Sequence, residues 1–494
     1  MIAALGTVTA DEGLGDFCDG LDRFLAKKVD AHAIDASHSL PPGLLSQLAE
    51  LGVFGVSIPE AWGGSGLGLA GAAAVVETIA RHDRSVATTV GLHLGLGTRG
   101  IVAYGTDVQR ARWLPELAAG TRLGAFATTE PSAGSDLSRL ATRARLDPAT
   151  DRLRVDGQKA FVTNGGLAQT FTVAAATEGL GGAASGQNLL ILDRADGIVV
   201  GAEEKKLGLR GSSTTPIYFD GLDIPMDRIL GPPGAGHHII GAVLAFGRTA
   251  MAAGCNGTAA AAIKLATAHV VGRRQFGKSL SDQPVVRLQL VDMAAGLFAM
   301  QAIVHATCQA EDDGDLLERL SVVAKVYCSD TDWQICDMAL QLQGGSGFLE
   351  ESGAPLLLRD ARITRIFEGA NDVLLSRLGA LELTRPADPA DDIVSIHPIC
   401  ELVRETREGG LKYFGLKLLR DPVRLHQLGR LAMLRDVAVA VVTHTGPSPD
   451  AETVALCKHA LLRLTQAAES AAIAPPDYSD LNAIAESIFK AVNL

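Results

Sequence analysis

The sequence has 494 residues, more than one ordinary domain, and 47% of them are hydrophobic, which predicts several packed units. Lys and Arg total 44 against 56 Asp and Glu, and the net charge of −12 argues against a nucleic-acid-binding protein. The seven cysteines lack CxxC spacing and the twelve histidines lack HExxH spacing, so we expect no disulfide framework and no metal site.

The predicted elements begin with helices. The first residues carry no basic region ahead of their short apolar run, so they fit neither a signal nor a transit peptide, and we expect a cytoplasmic protein. Residues 11–120 place apolar side chains at i, i+3, i+4 and i+7, the spacing of helices. After Gly124, short apolar runs are split by Gly, Asp and Pro, which predicts strands with turns at Asp156-Gly157 and Asp220-Gly221.

Long helices return from about Ala242, and their Ala and Gly content favours close packing. The most apolar stretch, residues 251–272, contains Lys264 and is therefore predicted to be a buried helix rather than a membrane span. The Pro- and acid-rich stretch "LTRPADPADD", residues 383–392, predicts a linker before a last helical region. This order predicts an α+β chain of four regions: residues 1–123, 124–238, 239–385 and 386–494.

Two glycine-rich stretches, residues 66–71 and 95–100, match GxGxxG. A dinucleotide fingerprint needs a strand before it and a helix after it, and neither stretch lies in such a unit, so we expect no nicotinamide site.

Four polar or glycine-rich segments suit ligand contacts, although each also fits an ordinary surface loop. "AFATTEPSAGSD", residues 125–136, offers hydroxyl groups beside Gly134, where backbone amides can approach a ligand closely. "KAFVTNGG" places an aromatic ring beside Thr163, "GRRQFGKSL" places Arg273 near Phe276, and "QLQGGSGF" places an amide beside two glycines.

The segment "RITRIFEGAND", residues 362–372, places Glu368 between an Arg-rich helix and Gly369. In one interpretation the glycine caps the helix and the glutamate is solvated, because carboxylates are mostly exposed. In the other, the carboxylate has a chemical role. Spacing alone does not separate the two.

Taken in order, these segments resemble the acyl-CoA dehydrogenase family over nearly all of residues 10–385, and "NGGLAQTFTV" and "EGAND" are most similar to its very-long-chain branch. The resemblance implies an N-terminal helical domain, a middle β-barrel, a C-terminal four-helix bundle and bound FAD, with a helical extension beyond them. It implies these cofactor contacts: Phe126, Thr128, Thr129, Gly134, Ser135, Phe161, Thr163, Arg273, Gln275, Phe276, Gln341, Gly344, Gly345, Asn371 and Asp372.

The same resemblance identifies Glu368 as the base that removes the α-proton of an acyl-CoA, while flavin takes the β-hydrogen. Further substrate contacts would come from Ser135, Ala87, Gly91, Gly247, Arg248 and Gly369. Expected partners are an electron-transfer flavoprotein and further copies of the chain, as a dimer or tetramer. An oxidase that uses dioxygen and a non-catalytic scaffold on the same fold are the alternatives.

Four positions depart from the family pattern. Phe161 stands where Trp is usual beside the flavin, Ala370 replaces a threonine, and Pro284 replaces a glutamine near the cofactor. Gly247 occupies the position at which some branches carry their base, which leaves Glu368 without a rival.

Chain length and membrane contact are open at this stage. Ala87 and Gly91 fall on one helix face and predict a groove for medium-to-long straight-chain acyl-CoAs rather than short or branched ones; close packing of two helices is the alternative explanation of these small residues. The basic helical stretch of residues 409–436 could contact an anionic lipid surface, but packing on the dimer is the favoured interpretation.

Overall fold

The computed structural model describes residues 12–180, 186–385, 393–446 and 449–472. Helices come first, a sheet follows, and helices continue to the last described residue, which confirms the predicted α+β fold class. One compact unit holds Met1–Asn371 and Ala440–Ala460, and a second holds Asp372–Val439 and Leu461–Leu494.

The N-terminal helices begin at side-chain caps. The Asp83 carboxylate accepts the amide N–H of Val86 at 2.8 Å, and Thr106 and Gln109 form a reciprocal capping box. The helices are α1 (Glu12–Lys28), α2 (Ala31–Ser37), α3 (Leu44–Glu50), α4 (Gly68–Ala80), α5 (Arg84–Leu92), α6 (Arg99–Tyr104) and α7 (Asp107–Ala118). Helix α4 is almost wholly buried, as its apolar sequence requires.

A π-helical turn, His93–Gly97, joins α5 to α6. His93 accepts the Gly124 N–H at Nδ1, at 3.0 Å. A side-chain carbon at Gly97 would lie 2.8 Å from the carbonyl carbon of Gly124, so the absence of a side chain allows the two backbones to touch. The turn therefore fixes the start of the sheet against the helical region.

The middle region is an eight-stranded sheet in the order β6-β7-β3-β2-β4-β5-β8, with β1 beside β4. Strands β1 and β2 run parallel to β4, and the other pairs are antiparallel. The strands are β1 (Gly124–Ala127), β2 (Arg143–Asp147), β3 (Arg152–Thr163), β4 (Thr170–Glu178), β5 (Gly186–Asp193), β6 (Val199–Val200), β7 (Thr214–Pro225) and β8 (Ile229–Leu230).

The two turns predicted within this region are wrong. Asp156-Gly157 lies inside β3 and Asp220-Gly221 inside β7, where the pairing of the two strands shifts register. The Gly221 N–H donates to Asp156 Oδ1 at 2.7 Å across the two strands. A bulge needs the same glycine and aspartate residues as a tight turn, so local composition does not distinguish them.

Long helices complete the first unit: α8 (Gly236–Gly272), α9 (Pro284–Gln309), α10 (Gly314–Gln343) and α11 (Ala354–Arg362), with the hairpin β9 (Arg274–Gln275) and β10 (Lys278–Ser279) after α8. Helix α8 packs on α4, α9 and α10. Helices α8 and α9 are long and apolar enough to cross a membrane, but most of their residues are buried within the chain. The prediction of a buried helix at residues 251–272 is thereby confirmed.

The remaining helices are α12 (Asn371–Thr384), α13 (His397–Phe414), α14 (Pro422–Thr445) and α15 (Ala451–Ala471). In the second unit the buried Arg435 guanidinium donates two hydrogen bonds to the Glu382 carboxylate, at 2.7 and 3.0 Å. The unit begins at Asp372, so most of α12 groups with residues beyond the predicted linker. Residues 386–392 of that linker lie outside the described residues.

Candidate active site

The backbone at Glu368 is unusual. Helix α11 ends at Arg362 rather than at the glutamate, and a 3₁₀ turn, Ile363–Arg365, follows it. Glu368 and Gly369 then both adopt left-handed conformations, with φ of 56° and 102°. This conformation costs a residue with a side chain about 1–2 kcal/mol. Strain of this kind is typical of functional sites.

The surroundings of the Glu368 carboxylate differ from those of a solvated side chain. Its Oε2 atom is buried and has no hydrogen-bond partner among the described residues. Burial raises the pKa of the carboxyl to about 7, because the charged form loses its water; the positive charges of Arg248, Lys325 and Arg84 oppose this increase. The interpretation of Glu368 as a solvated residue before a helix cap is therefore wrong.

A glycine makes room for this carboxylate. A side-chain carbon at Gly247 of α8 would lie 3.2 Å from Glu368 Oε2 and would overlap the side chain of Leu96. One at Gly95, in the π-helical turn, would lie 3.2 Å from the Cα of Gly247. The carboxylate thus faces bare backbone of α8.

Two buried cations hold the strained turn. Arg248 donates from Nε to the carbonyl oxygen of Glu368 at 2.9 Å. Lys325 donates from Nζ to the carbonyl oxygen of Gly369 at 2.7 Å and to Asn371 Oδ1 at 2.6 Å. The two carbonyls that a left-handed turn exposes are therefore both paired, which keeps the carboxylate aimed at Gly247. Arg248 was predicted to lie near the substrate thioester. In the structure its guanidinium donates a hydrogen bond to the backbone of this turn.

Two of the segments predicted to contact FAD lie next to each other. Strand β3 carries Phe161 on a bulge, with φ of 55° and 66% of its surface exposed. One residue earlier, the Ala160 N–H donates to the carbonyl oxygen of Thr129 at 2.9 Å. Lys159 donates from Nζ to the carbonyl oxygen of Thr128 at 3.2 Å. The strand segment that carries Phe161 and the loop that contains Thr128 and Thr129, the threonine loop, are therefore adjacent, and the hydrogen bond from Ala160 to Thr129 joins them.

The other residues of this group differ in exposure. Gly134 and Ser135 are exposed, and a side-chain carbon at Gly134 would meet no atom within 4 Å. Phe126 is buried, whereas Thr163 is partly buried beside Phe161.

The predicted cofactor contacts in the third region are mostly on the surface. Phe276, at the turn of the β9–β10 hairpin, is 91% exposed. Its neighbours on the hairpin and the end of α10 are exposed as well: Arg273, Gln275, Gln341, Gly344 and Gly345. Asn371 is buried, and its amide donates to Ser329 and Asp330, whereas Asp372 is exposed.

Gly91, which was predicted to line an acyl groove, packs against helix α4. A side-chain carbon at Gly91 would lie 3.0 Å from Val76 Cγ2 of α4, so this glycine allows the two helices to pack closely. Ala87, one turn earlier, is buried.

Family models match the chain over most of its length. The acyl-CoA dehydrogenase N-terminal, middle and C-terminal domains match residues 13–121, 125–222 and 234–381. The chain belongs to the acyl-CoA dehydrogenase family. The turn that carries Glu368 lies within the C-terminal domain match.

Individual acyl-CoA dehydrogenases agree with this assignment. Butyryl-CoA dehydrogenase from Megasphaera elsdenii is 32% identical with a TM-score of 0.73, over 76% of this chain and 99% of that protein. An acyl-CoA dehydrogenase complexed with FAD from Bacillus anthracis has the same fold, with a TM-score of 0.84 over 97% and 91% of the chains at 24% identity. The very long-chain specific acyl-CoA dehydrogenase of Mus musculus is 36% identical over 359 residues, 71% of this chain and 55% of that one. The chain thus spans about half the length of the very long-chain relatives that it matches.

Sequence reasoning missed two charged residues near Glu368. Lys325 lies in the middle of the apolar run "SVVAKVYC" of α10 and is fully buried. A lysine surrounded by apolar residues in a helix was the feature of the sequence that could have identified it. Arg84, at the start of α5, is also buried and influences the pKa of Glu368.

Proposed function

We propose that this chain catalyses the FAD-dependent α,β-dehydrogenation of an acyl-CoA thioester to a trans-2-enoyl-CoA, with Glu368 removing the α-proton. One observation carries the proposal: Glu368 Oε2 is buried, unpaired and held above the bare backbone of Gly247, and the pKa of the carboxyl is about 7. A carboxylate is an effective general base when its pKa lies near the working pH. At its ordinary value of 4.5 it would be a far weaker base.

The residues of this chain supply positioning and proton transfer. Arg248 and Lys325 fix the carbonyls on either side of the base, so that the carboxylate has little freedom to turn away from the substrate. Their charges also lower the pKa of Glu368, so that about half of the carboxyl groups are charged at pH 7. Glycine at positions 247 and 369 places no side chain beside the carboxylate, where a thioester would lie. Hydrogen bonds to the thioester oxygen would stabilise the enolate-like charge that develops as the α-proton leaves.

The residues present fit FAD. Phe161 offers an exposed aromatic face, and the threonine loop beside it offers Thr128 and Thr129, while Gly134 leaves open space for a close backbone approach. Bound FAD would supply a hydride acceptor for the β-hydrogen. Arg273 and Gln275, on an exposed hairpin, would reach the cofactor of a second copy of the chain, and we propose a homo-oligomer on this basis. We also propose a cytoplasmic location.

We propose that an electron-transfer flavoprotein accepts the electrons. Rapid mixing of the substrate-reduced enzyme with either air-saturated buffer or an electron-transfer flavoprotein tests this. Reoxidation that is slow in air and fast with the flavoprotein is expected, and the opposite order would identify an oxidase instead.

The base is tested by Glu368→Gln. The amide cannot accept the α-proton, so we expect the variant to retain FAD and bind acyl-CoA but to reduce its flavin about 100- to 10,000-fold more slowly. Anaerobic stopped-flow bleaching of the visible flavin band measures the rate. Glu351→Gln, the same change at an exposed carboxylate, is the matched control. A Glu368→Gln rate above a tenth of the wild-type rate would mean that another residue is the base.

A further inference from the structure

The segment of residues 130–142, which carries Gly134 and Ser135, is a loop closed at its base by one buried carboxylate. Glu130 stands at the start of the loop, with 3% of its surface exposed. At the other end of the loop, the N–H of Thr142 donates to Glu130 Oε1 at 3.0 Å and the N–H of Ala141 donates to Oε2. One side chain thus joins the two ends of a loop that would otherwise be linked only through its own backbone.

The far end of this loop is itself fixed to the sheet. Thr142 donates from Oγ1 to the carbonyl oxygen of Gln158 at 3.3 Å, and its own carbonyl oxygen accepts the N–H of Ala176 at 3.0 Å. A side-chain carbon at Gly157 of β3 would lie 2.7 Å from the Cα of Thr142, so this glycine allows the strand to touch the loop. Glu130 therefore ties the start of the loop to backbone that β3 and β4 hold in place.

A buried cation completes the contact. Lys159 of β3 is 1% exposed, and it donates from Nζ to Glu130 Oε1 at 2.7 Å and to the carbonyl oxygen of Thr128 at 3.2 Å. Side chains two residues apart in a regular strand face the same side, but the register of β3 shifts between Lys159 and Val162. Phe161 is therefore exposed while Lys159 points inward. The ion pair thus connects the loop and the strand segment that are both proposed to contact FAD.

Both members of the pair are charged at neutral pH. Burial raises the pKa of the Glu130 carboxyl, but the hydrogen bonds from Lys159, Thr142 and Ala141 outweigh this effect and hold the pKa below its ordinary value. Burial lowers the pKa of Lys159 to about 8, against the hydrogen bond with Glu130. A buried ion pair stabilises a fold little more than apolar side chains of similar volume, so this pair is better explained by what it positions.

We propose that Glu130 and Lys159 are positioning residues for FAD: their ion pair closes the loop before the cofactor binds, so that Gly134 and Ser135 are held in one conformation. The proposal rests on the FAD contacts that the proposed function assigns to this loop. A loop that is already ordered loses less conformational entropy on binding, so closure should tighten FAD binding without changing the chemistry at Glu368. The alternative is that the pair only stabilises the fold.

The test measures the dissociation constant of FAD by serial dilution of the full-length holoprotein, from the fluorescence of the released flavin. Glu130→Gln leaves the Lys159 charge buried and unpaired, and it should weaken FAD binding about 10- to 100-fold because the hydrogen bonds that close the loop are weakened or lost. Glu382→Gln, at the buried carboxylate that pairs with Arg435 in the second unit, is the matched control. Both variants should lower the melting temperature, but only Glu130→Gln should release FAD.

A second variant separates loop closure from stability. Glu130→Leu/Lys159→Met replaces both charges by apolar side chains of similar size, so the FAD-free protein should melt near the wild-type temperature. An open loop exposes the freed N–H groups to water, and FAD binding should stay about 10- to 100-fold weaker than in the wild type. If the pair only stabilises the fold, this double variant instead regains wild-type FAD binding, which would overturn the proposal.

Hydrogen exchange shows whether the loop closes before FAD binds, and on the wild type it requires no variant to fold. The Ala141 and Thr142 amides of the FAD-free wild type should be protected, and those of the double variant should exchange about 10-fold faster or more. Fast exchange of both amides in the FAD-free wild type would also overturn the proposal. A wild type that binds FAD normally but whose flavin no acyl-CoA bleaches would instead overturn the proposed function and leave the positioning role intact.

Discussion

The pH dependence of flavin reduction is the most direct consequence of the structure around Glu368. The pKa of its carboxyl is about 7 against an ordinary 4.5, a difference that corresponds to about 3 kcal/mol against the charged form. The folded protein therefore binds this proton more tightly than the unfolded chain. The charged carboxylate lowers stability at pH values above 7, and the loss diminishes as the pH falls from 7 toward 4.5.

The base works only when it is deprotonated, so kcat/KM should rise with pH and level off above about 7. With this pKa about 1% of the free enzyme is active at pH 5, so the rate there should be about 100-fold below the plateau. A carboxyl with the ordinary value of 4.5 would lose only about a quarter of its rate over the same range.

The assay is anaerobic flavin bleaching at low substrate concentration between pH 5 and 9, since kcat/KM reports the free enzyme. The phosphate groups of CoA also titrate near pH 6, and an acyl-pantetheine without them is the control substrate. Lys325→Met removes a cation that lowers the pKa of Glu368, so its profile should shift to higher pH. A wild-type profile that stays flat from pH 5.5 to 8 would refute the burial argument.

Two further variants test other parts of the chain. Arg273→Ala should reduce the FAD content after gel filtration, because an exposed charge that would face a cofactor phosphate is lost; unchanged flavin content would count against that contact. Gly379→Ala should lower the free energy of unfolding by about 1–3 kcal/mol, because a side chain there would overlap the carbonyl oxygen of Leu425 in the second unit. Thermal unfolding measures the effect of Gly379→Ala. The control is Gly409→Ala, at a position where a side-chain carbon would meet no atom within 4 Å. Equal melting temperatures for the two variants would show that α12 and α14 can separate freely.

The order of elements could be predicted from the sequence because it depends on local periodicity. Helical spacing before Gly124 and after Ala242, and short apolar runs between them, were sufficient. The bulges at Gly157 and Gly221 could not be predicted, because a bulge is defined by the partner strand. Whether a strand continues past a glycine depends on hydrogen bonds to residues about 60 positions away.

The site was partly predictable, because part of it lies in a short local motif and part depends on residues that are distant in the sequence. Glu368 stands in a short motif and could be singled out, but its pKa is set by burial, which raises it, and by the charges of Arg248 and Lys325, which lower it and are far away in the chain. The hydrogen bonds of Lys325 to the turn needed the fold, since a lysine within an apolar helix has several possible partners. The small residues Ala87 and Gly91 show most clearly what the sequence pattern could not decide, because two small residues on one helix face fit both a substrate groove and a close contact between helices. In the structure Gly91 makes the contact with α4.

The proposed proton acceptor and the charges that act on it lie in different parts of the chain. Glu368 and the loops that suit FAD lie in motifs that resemble the family. Three buried cations lower the pKa of the Glu368 carboxyl, and two of them, Lys325 and Arg84, lie outside those motifs. Each cation favours the charged carboxylate, so the loss of any one of them should raise this pKa while the residue proposed to take the proton stays in place.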